Sequence, residues 1–111
     1  IVNVVSLPAL DRGASGMSAY GASKAAVLNL THSLSRELRS SSITVNAVAP
    51  GFIADTGLIE AVPPFLMPGI LESIPLKRLG SVSDVAEAVS YLVQAKYVTG
   101  TVLNVSGGYR T

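Results

Sequence analysis

A tyrosine and a lysine, Tyr20 and Lys24, stand four residues apart in a segment with helical spacing. On a helix this spacing places the two side chains on one face, a turn apart. The phenol of a free tyrosine has a pKa of about 10 and exchanges protons poorly at neutral pH, but a neighbouring ammonium favours the phenolate. The pair is therefore suited to give a proton to a carbonyl oxygen, or to take one back. Ser6, in the preceding loop, is a candidate to hydrogen-bond the same oxygen.

Each of these residues also has an ordinary interpretation. A Tyr–Lys pair at this spacing is commonly a surface contact on a helix, and a serine after a strand commonly caps a loop. His32, the single histidine, is expected to be partly buried or to lie at an interface rather than to act in catalysis. The chemistry of the pair therefore depends on the elements that position it.

Three apolar, β-branched runs predict strands that are buried on both faces. They are Ile1–Val5, Ile43–Val48 and Thr101–Val105. Apolar residues at helical spacing lie between them, from Ser18 to about Arg39 and again after Gly80. The order strand, helix, strand, lid, helix, strand predicts an α/β fold with a parallel sheet and right-handed crossovers.

Both helices are expected to face the sheet with an apolar stripe. In the first helix the stripe consists of Val27, Leu30, Thr31, Leu34 and Leu38. In the second it consists of Val82, Val85, Ala86, Val89, Leu92 and Val93. Ser81 and Asp84 match a capping box, in which two side chains satisfy free amides at the start of a helix.

The segment Phe52–Pro75 is largely apolar but is interrupted by glycines and prolines. These are Gly57, Pro63, Pro64, Pro68 and Gly69. Such a sequence predicts short helical pieces at best, which suits a mobile lid better than a core element. Phe65, Leu66 and Met67 either bind an acyl chain or pack the lid on the core, and both interpretations stay open. In a parallel sheet the ligand site lies beyond the carboxyl ends of the strands, where Ser6 and the turn at Pro50 are expected.

The composition excludes several classes of function. Eight basic and seven acidic residues leave a net charge of +1, which is no footprint for nucleic acid or for membrane phosphates. The absence of cysteine and the single histidine argue against a metal cluster, and no apolar run approaches the ~18 residues of a membrane span. Charged residues make up 14% of the chain, against roughly 25% in average globular proteins. The chain is therefore expected to cover surface with partners or to belong to something larger.

Four collinear segments carry a family signature: residues 1–6, residues 18–26 around Tyr20, residues 43–53 and residues 100–108. Together they resemble the short-chain dehydrogenase/reductase family, in the branch of 3-oxoacyl-[acyl-carrier-protein] reductases and carbonyl reductase 4. The resemblance covers essentially the whole chain. It implies a Rossmann-type doubly wound parallel sheet, of which residues 1–111 form the C-terminal half with three strands, the catalytic helix, the lid at about 52–75 and a C-terminal helix.

The resemblance implies hydride transfer between a nicotinamide cofactor, NADP(H) more than NAD(H), and a ketone or 3-oxoacyl thioester. Tyr20 would donate the proton, and Lys24 would promote its ionisation and hold the ribose hydroxyls of the cofactor. Ser6 would polarise the carbonyl, and Phe65, Leu66 and Met67 belong to the lid that would close over the substrate.

The cofactor contacts that the resemblance implies lie after the second strand. Pro50, Gly51 and Ile53 would line the nicotinamide, with the Ile53 backbone on the carboxamide. The family usually has a threonine two residues after this isoleucine. Here Asp55 stands at that position and Thr56 follows, so Thr56 is the candidate for that contact.

Other departures from the family concern the two ends of the chain. The loop before Tyr20 is one residue longer than in typical acyl-carrier reductases, so we expect Ser6 to be slightly displaced. Ser106 replaces the usual aspartate before the last glycine pair, a change we expect to be tolerated. The chain opens inside a strand-like run, so we expect the dinucleotide-binding half to lie outside it and the 111 residues alone to be inactive and poorly soluble.

A second function stays open beside the reductase: an inactive remnant that acts only through an oligomerisation surface. Gly21, Ala22, Ala25 and Ala26 form a small-residue face, and the resemblance implies that this helix pairs in a homodimer or homotetramer. The short connection at residues 93–96 is similar to the carbonyl reductase 4 type. It fits an enzyme of the cytoplasm or the mitochondrial matrix, with no nucleic-acid or membrane partner.

Overall fold

Three parallel strands form one sheet in the computed structural model, which describes residues 1–10 and 15–109. The strands are β1 (Val2–Val4), β2 (Asn46–Pro50) and β3 (Val102–Val105), in the order β1-β2-β3. Val4 pairs with Val48, and Val48 pairs on its other side with Leu103. The predicted parallel α/β fold is confirmed, although the strands are shorter than the runs that predicted them.

The central strand is the core of the sheet and ends later than predicted. All side chains from Val45 to Ala49 are fully buried, whereas Ile43 is 41% exposed and lies outside the strand. Pro50 was expected to stop the strand but pairs with Val105. Successive backbone amides along β2 point alternately toward β1 and toward β3. The Gly51 amide points toward β3, where it donates to the Val105 carbonyl. The missing N–H of Pro50 therefore falls on the β1 side, beyond the last β1 pair.

The long helix α1 (Ser18–Glu37) crosses from β1 to β2. Val27 and Leu28 pack on the core cluster around Val5 and Ala47. The predicted stripe is wrong at one position, because Leu30 is half exposed. The buried residues of α1 are both polar: Thr31, which the predicted stripe included, and Ser35, which it did not.

The small side chains on this face have a steric reason. Ser35 Oγ lies 2.9 Å from the position that a Cβ atom on Gly100 would occupy. The loop before β3 therefore approaches α1 closely, and a leucine in place of Ser35 has no room there. Leu34 and Leu38, beside this face, are half-buried.

The predicted lid consists of short pieces, as expected. They are α2 (Gly57–Glu60), a 3-10 turn at Pro64–Leu66 and α3 (Met67–Ser73). Ile59 and Ile74 are the buried side chains of this segment, and Ile74 lies against Gly107 after β3.

The last helix, α4 (Val82–Gln94), begins with the predicted capping box. The Ser81 hydroxyl accepts from the Asp84 amide, and the Asp84 carboxylate accepts from the Ser81 amide. Leu92 is fully buried, but Val82 and Val93 are more than half exposed and Ala86 is exposed as well, against the prediction. Val82 lies at the polar, capped end of the helix, and Val93 is turned by about 100° from Leu92. None of the described helices combines the length and hydropathy needed to cross a membrane.

Candidate active site

The first half of α1 presents Lys24 to the carboxyl end of β1. The Lys24 Nζ donates to the carbonyl of Val4, the last residue of β1, at 3.2 Å. An ammonium has three N–H donors, and this is the one hydrogen bond that Lys24 makes with a described residue. Two donors are thus left for a ligand at the strand end.

The phenol of Tyr20 stands beside this ammonium. The Lys24 Nζ lies 5.8 Å from the centroid of the Tyr20 ring, within the range of a cation–π contact. Tyr20 is 42% exposed, and its hydroxyl bonds to none of the residues that the structure describes. The two side chains that the sequence pairs are therefore neighbours in the structure, and the phenol is accessible.

Ser6 follows β1 directly and occupies the same end of the sheet. It is half-buried, with an extended backbone, and precedes a 3-10 turn at Leu7–Ala9. The start of α1 packs on this turn: a Cβ atom on Gly21 would lie 3.5 Å from the Pro8 carbonyl oxygen. The structure thus brings Ser6 to the region of Tyr20 and Lys24. Residues 11–14 of the longer loop between Ser6 and Tyr20 lie outside the described residues, and the displacement of Ser6 stays a prediction.

The end of β2 supplies the second part of the site. A Cβ atom on Gly51 would lie 3.0 Å from Ser106 Cα, so the turns after β2 and β3 touch at backbone distance. Pro50 is held in the ladder opposite Val105, and Gly51 donates to the Val105 carbonyl. Both residues lie at the carboxyl edge, where the sequence placed them.

Ile53 is fixed by a short parallel bridge to Gly80. The bridge uses the Phe52 carbonyl, which accepts from Gly80 at 2.9 Å, and the Ala54 amide, which donates to Gly80 at 2.8 Å. The Ile53 amide lies between them and bonds to no described residue, so it can meet the amide group of a ligand. This bridge was not predicted from the sequence, because Ile53 and Gly80 are far apart in the chain.

Thr56 closes the turn that follows. Its hydroxyl donates to the Ile53 carbonyl at 2.7 Å, and Asp55 has a left-handed backbone with φ of 55°. The hydroxyl oxygen of Thr56 keeps its acceptor capacity.

The lid residues point away from the core. Phe65 is 80% exposed and Leu66 is 48% exposed, while Met67 is half-buried. For Phe65 the interpretation that it packs the lid on the core is therefore wrong. An exposed apolar lid tip remains available to an apolar ligand.

A cavity of about 240 Å³ lies at the end of β3, between the base of the lid and α4. Its lining includes Arg78, Asp84, Asn104 and Ser106. Arg78 makes two hydrogen bonds to the Asp84 carboxylate, at 2.8 and 3.2 Å. These bonds, followed by those from Ser81, hold the pKa of Asp84 well below its usual range. The residues of the predicted acid–base set do not line this cavity.

One contact that the sequence did not reveal joins α1 to β1. The Asn3 side-chain amide donates to the Thr31 hydroxyl at 2.9 Å. The available signal was the spacing: Thr31 follows Lys24 by two helical turns. The Asn46 side-chain amide donates to the Val98 carbonyl, and its oxygen accepts from the Thr101 amide. His32 is half-buried, as expected.

Across the described ranges 1–10 and 15–109, no group of three or more His, Cys, Asp or Glu side chains is arranged to hold a metal ion.

The chain is similar to known oxidoreductases over nearly its whole length. Residues 1–110 match the family described as enoyl-(acyl carrier protein) reductase. A 3-oxoacyl-[acyl-carrier-protein] reductase of Staphylococcus epidermidis is 44% identical over 110 residues, which are 97% of this chain and 44% of that protein. The chain thus spans less than half the length of the curated relatives that it matches.

Two solved structures have the same fold. A blue fluorescent protein from a metagenomic library, in complex with NADPH, is 36% identical with a TM-score of 0.89, and the match covers 100% of this chain and 45% of that one. A 7α-hydroxysteroid dehydrogenase, complexed with NADH and 7-oxo-glycochenodeoxycholic acid, is 33% identical with a TM-score of 0.90. That match covers 98% of this chain and 43% of the dehydrogenase chain.

Proposed function

Because the chain belongs to the short-chain dehydrogenase/reductase family, we propose that it carries the catalytic part of an NADP(H)-dependent carbonyl reductase. The substrate class is a ketone or a 3-oxoacyl thioester, and the product is the corresponding secondary alcohol. The observation that carries the proposal is the position of Lys24, which reaches the end of β1 and stands beside the accessible phenol of Tyr20.

The roles of the three side chains follow from their chemistry. Ser6 donates a hydrogen bond to the substrate carbonyl oxygen and orients it. Tyr20 gives its phenolic proton to that oxygen as the carbonyl carbon is reduced, and the phenolate that remains is stabilised by the Lys24 ammonium. Reprotonation of Tyr20 from solvent, which its exposure permits, completes the cycle.

The cofactor fits donors and acceptors of the site that no residue in the described ranges 1–10 and 15–109 occupies. A nicotinamide dinucleotide, when bound, supplies the hydride that adds to the carbonyl carbon. The two remaining Lys24 donors suit the hydroxyls of a ribose. The Ile53 amide suits a carboxamide oxygen, and Pro50, Gly51 and the Thr56 hydroxyl complete the nicotinamide side. NADP(H) is favoured over NAD(H), with the NADPH complex of the metagenomic relative as support and the NADH complex of the steroid dehydrogenase as the competing case.

The lid would form the side of the site that contacts the substrate. Phe65 and Leu66 are exposed and Met67 is half-buried at its tip, and burial of such side chains against an acyl chain is favourable by the hydrophobic effect. We propose that the lid closes over an apolar substrate tail. The name of the Staphylococcus relative supports a 3-oxoacyl thioester, and the 7-oxo steroid of the dehydrogenase supports a cyclic ketone. The cytoplasm and the mitochondrial matrix are the proposed locations.

A second candidate function is an inactive chain that acts by assembly. Ala22, Ala25, Ala26 and Leu30 are all exposed on α1, and we propose this face as the contact of a homodimer or homotetramer. An inactive subunit would keep this face without needing the three side chains of the acid–base set. The intact set favours the reductase.

The test uses the native polypeptide that carries these residues, with NADPH or NADH and acetoacetyl-CoA as the carbonyl probe. We expect oxidation of NADPH, faster than of NADH, and a lowered kcat in Ser6→Ala. The control is Ser83→Ala, which changes an exposed serine of α4 and should leave kcat unchanged. Assembly without turnover of acetoacetyl-CoA or of a cyclic ketone would support the inactive subunit instead.

A further inference from the structure

The face of α1 that carries Lys24 makes a second polar contact with β1. The Asn3 Nδ2 donates to Thr31 Oγ1 at 2.9 Å, and the Thr31 hydroxyl donates in turn to the Val27 carbonyl at 2.8 Å. Thr31 has no exposed surface. Its hydroxyl therefore has both a donor and an acceptor partner inside the protein, and water cannot replace either one.

The two contacts act on one rigid helix. Lys24 and Thr31 are seven residues apart, so they lie on the same face about 10.5 Å apart along the axis. Their partners, Val4 and Asn3, are neighbours in β1. A helix can pivot about a single contact, but two contacts on one face fix both its rotation and its position along the strand.

We infer that Asn3 and Thr31 are a positioning pair, which sets the register of α1 on β1 and thereby holds the Lys24 ammonium, and Tyr20 beside it, at the strand end. This role rests on the proposed reductase function of the same site. Neither residue touches a reacting atom. The side chain of Asn3 contacts α1 two helical turns beyond Lys24, so the pair acts on the chemistry only through helix placement.

The variant that isolates the contact is Thr31→Val, which keeps the branched shape and removes the hydroxyl. Thr31→Ser keeps the hydroxyl and should restore the wild-type behaviour. Ser35→Ala is the matched control, because Ser35 is buried one turn further along the helix and its hydroxyl bonds to the His32 carbonyl of the same helix. Asn3→Ser removes the amide from the strand side and tests the pair independently.

The first readout is the chemical reactivity of the Lys24 amine, which needs neither cofactor nor turnover. Limited acetylation with mass-spectrometric detection compares Lys24 with Lys96, whose Nζ also bonds to a backbone carbonyl, that of Val93. In Thr31→Val and Asn3→Ser we expect the Lys24 rate to rise about 2- to 10-fold relative to Lys96, the factor that corresponds to one hydrogen bond. The ratio should stay at its wild-type value in Thr31→Ser and Ser35→Ala.

The second readout is steady-state kinetics with NADPH and acetoacetyl-CoA, well below the unfolding temperature of each variant. A displacement of about 1 Å can cost on the order of 100-fold in rate, so we expect kcat to fall about 10- to 100-fold in Thr31→Val and to recover in Thr31→Ser. A merely structural hydroxyl would lower the unfolding temperature in Thr31→Val and Ser35→Ala alike and leave kcat unchanged.

The outcomes separate this inference from the proposed function. If wild type turns over but Thr31→Val and Asn3→Ser keep the wild-type kcat and Lys24 reactivity, the positioning role is wrong and the reductase stands. If wild type oxidises no NADPH with any carbonyl probe, the proposed function fails. The acetylation ratio then still decides whether the pair holds Lys24 in place.

Discussion

The glycine pair after β3 offers a steric test of how the base of the lid is held. Gly107 has φ of 62°, a left-handed conformation that glycine adopts freely. A Cβ atom on this residue would lie 2.9 Å from Ile74 Cγ2, closer than Cβ contacts in folded proteins. Ile74 is fully buried and the Gly107 carbonyl accepts from the Leu76 amide at 3.1 Å. Neither partner can move away cheaply.

Gly107→Ala should therefore lower the free energy of unfolding through two separate effects. The left-handed backbone costs an alanine about 1–2 kcal/mol, and the overpacking against Ile74 costs about 1–3 kcal/mol. The loss should reach about 2–5 kcal/mol, which is a large part of the 5–15 kcal/mol typical of whole domains. The matched control is Gly16→Ala: Gly16 has φ of 77° and no described atom within 4 Å of its Cβ position. This variant should show the backbone cost alone.

Urea denaturation of the native polypeptide measures both variants, followed by a double-mutant cycle. Ile74→Ala lacks the Cγ2 atom, so in that background Gly107→Ala should cost about as much as Gly16→Ala. Equal losses for Gly107→Ala and Gly16→Ala in the wild-type background would refute the steric reasoning. Strict additivity of Gly107→Ala with Ile74→Ala would refute the assignment of the clash to Ile74.

Two further predictions concern α4. The pKa of the Asp84 carboxyl is lowered from its ordinary value of 3.8, mainly by Arg78 and then by Ser81, so its contribution to stability is present above that value and is lost as the pH falls below it. Denaturation at pH values below about 4 should therefore show a steeper loss of stability with falling pH in wild type than in Asp84→Asn, and parallel curves would contradict the assignment. Leu92→Ala should cost about 2–5 kcal/mol because Leu92 is buried, whereas Val93→Ala, at a position 57% exposed, should stay within about 0.5 kcal/mol. Similar urea midpoints for both variants would mean that α4 is packed on a different face.

The order of the elements could be predicted because each one has a local signal. The β-branched run before Ser6 and the run before Pro50 both gave strands, and the capping box of Ser81 and Asp84 fixed the start of α4 within one residue. The candidate site followed from the same signals, since the carboxyl ends of parallel strands share one edge. Prolines and glycines were enough to predict a lid of short pieces.

The buried face of α1 could be predicted only in part: Thr31 belonged to the predicted stripe, but the exposure of Leu30 and the burial of Ser35 depend on distances across the fold. Leu30 is the more hydrophobic residue, yet Thr31 is buried and Leu30 is half exposed. The reason is the close approach of the loop at Gly100 to Ser35 and the hydrogen bond from Asn3. Both contacts link residues that are far apart in the chain, and hydrophobic periodicity carries no information about them.

The most direct test of the central claim compares two tyrosines of this chain. Tyr20→Phe removes the phenolic proton that the proposed reaction transfers, and Tyr97→Phe removes the same group from a fully exposed residue. With NADPH and a carbonyl substrate that wild type reduces, Tyr20→Phe should lower kcat by about 10²- to 10⁴-fold, the usual contribution of a positioned acid, while Tyr97→Phe should match wild type. A Tyr20→Phe variant that keeps wild-type turnover would contradict the assignment of Tyr20 as the proton donor.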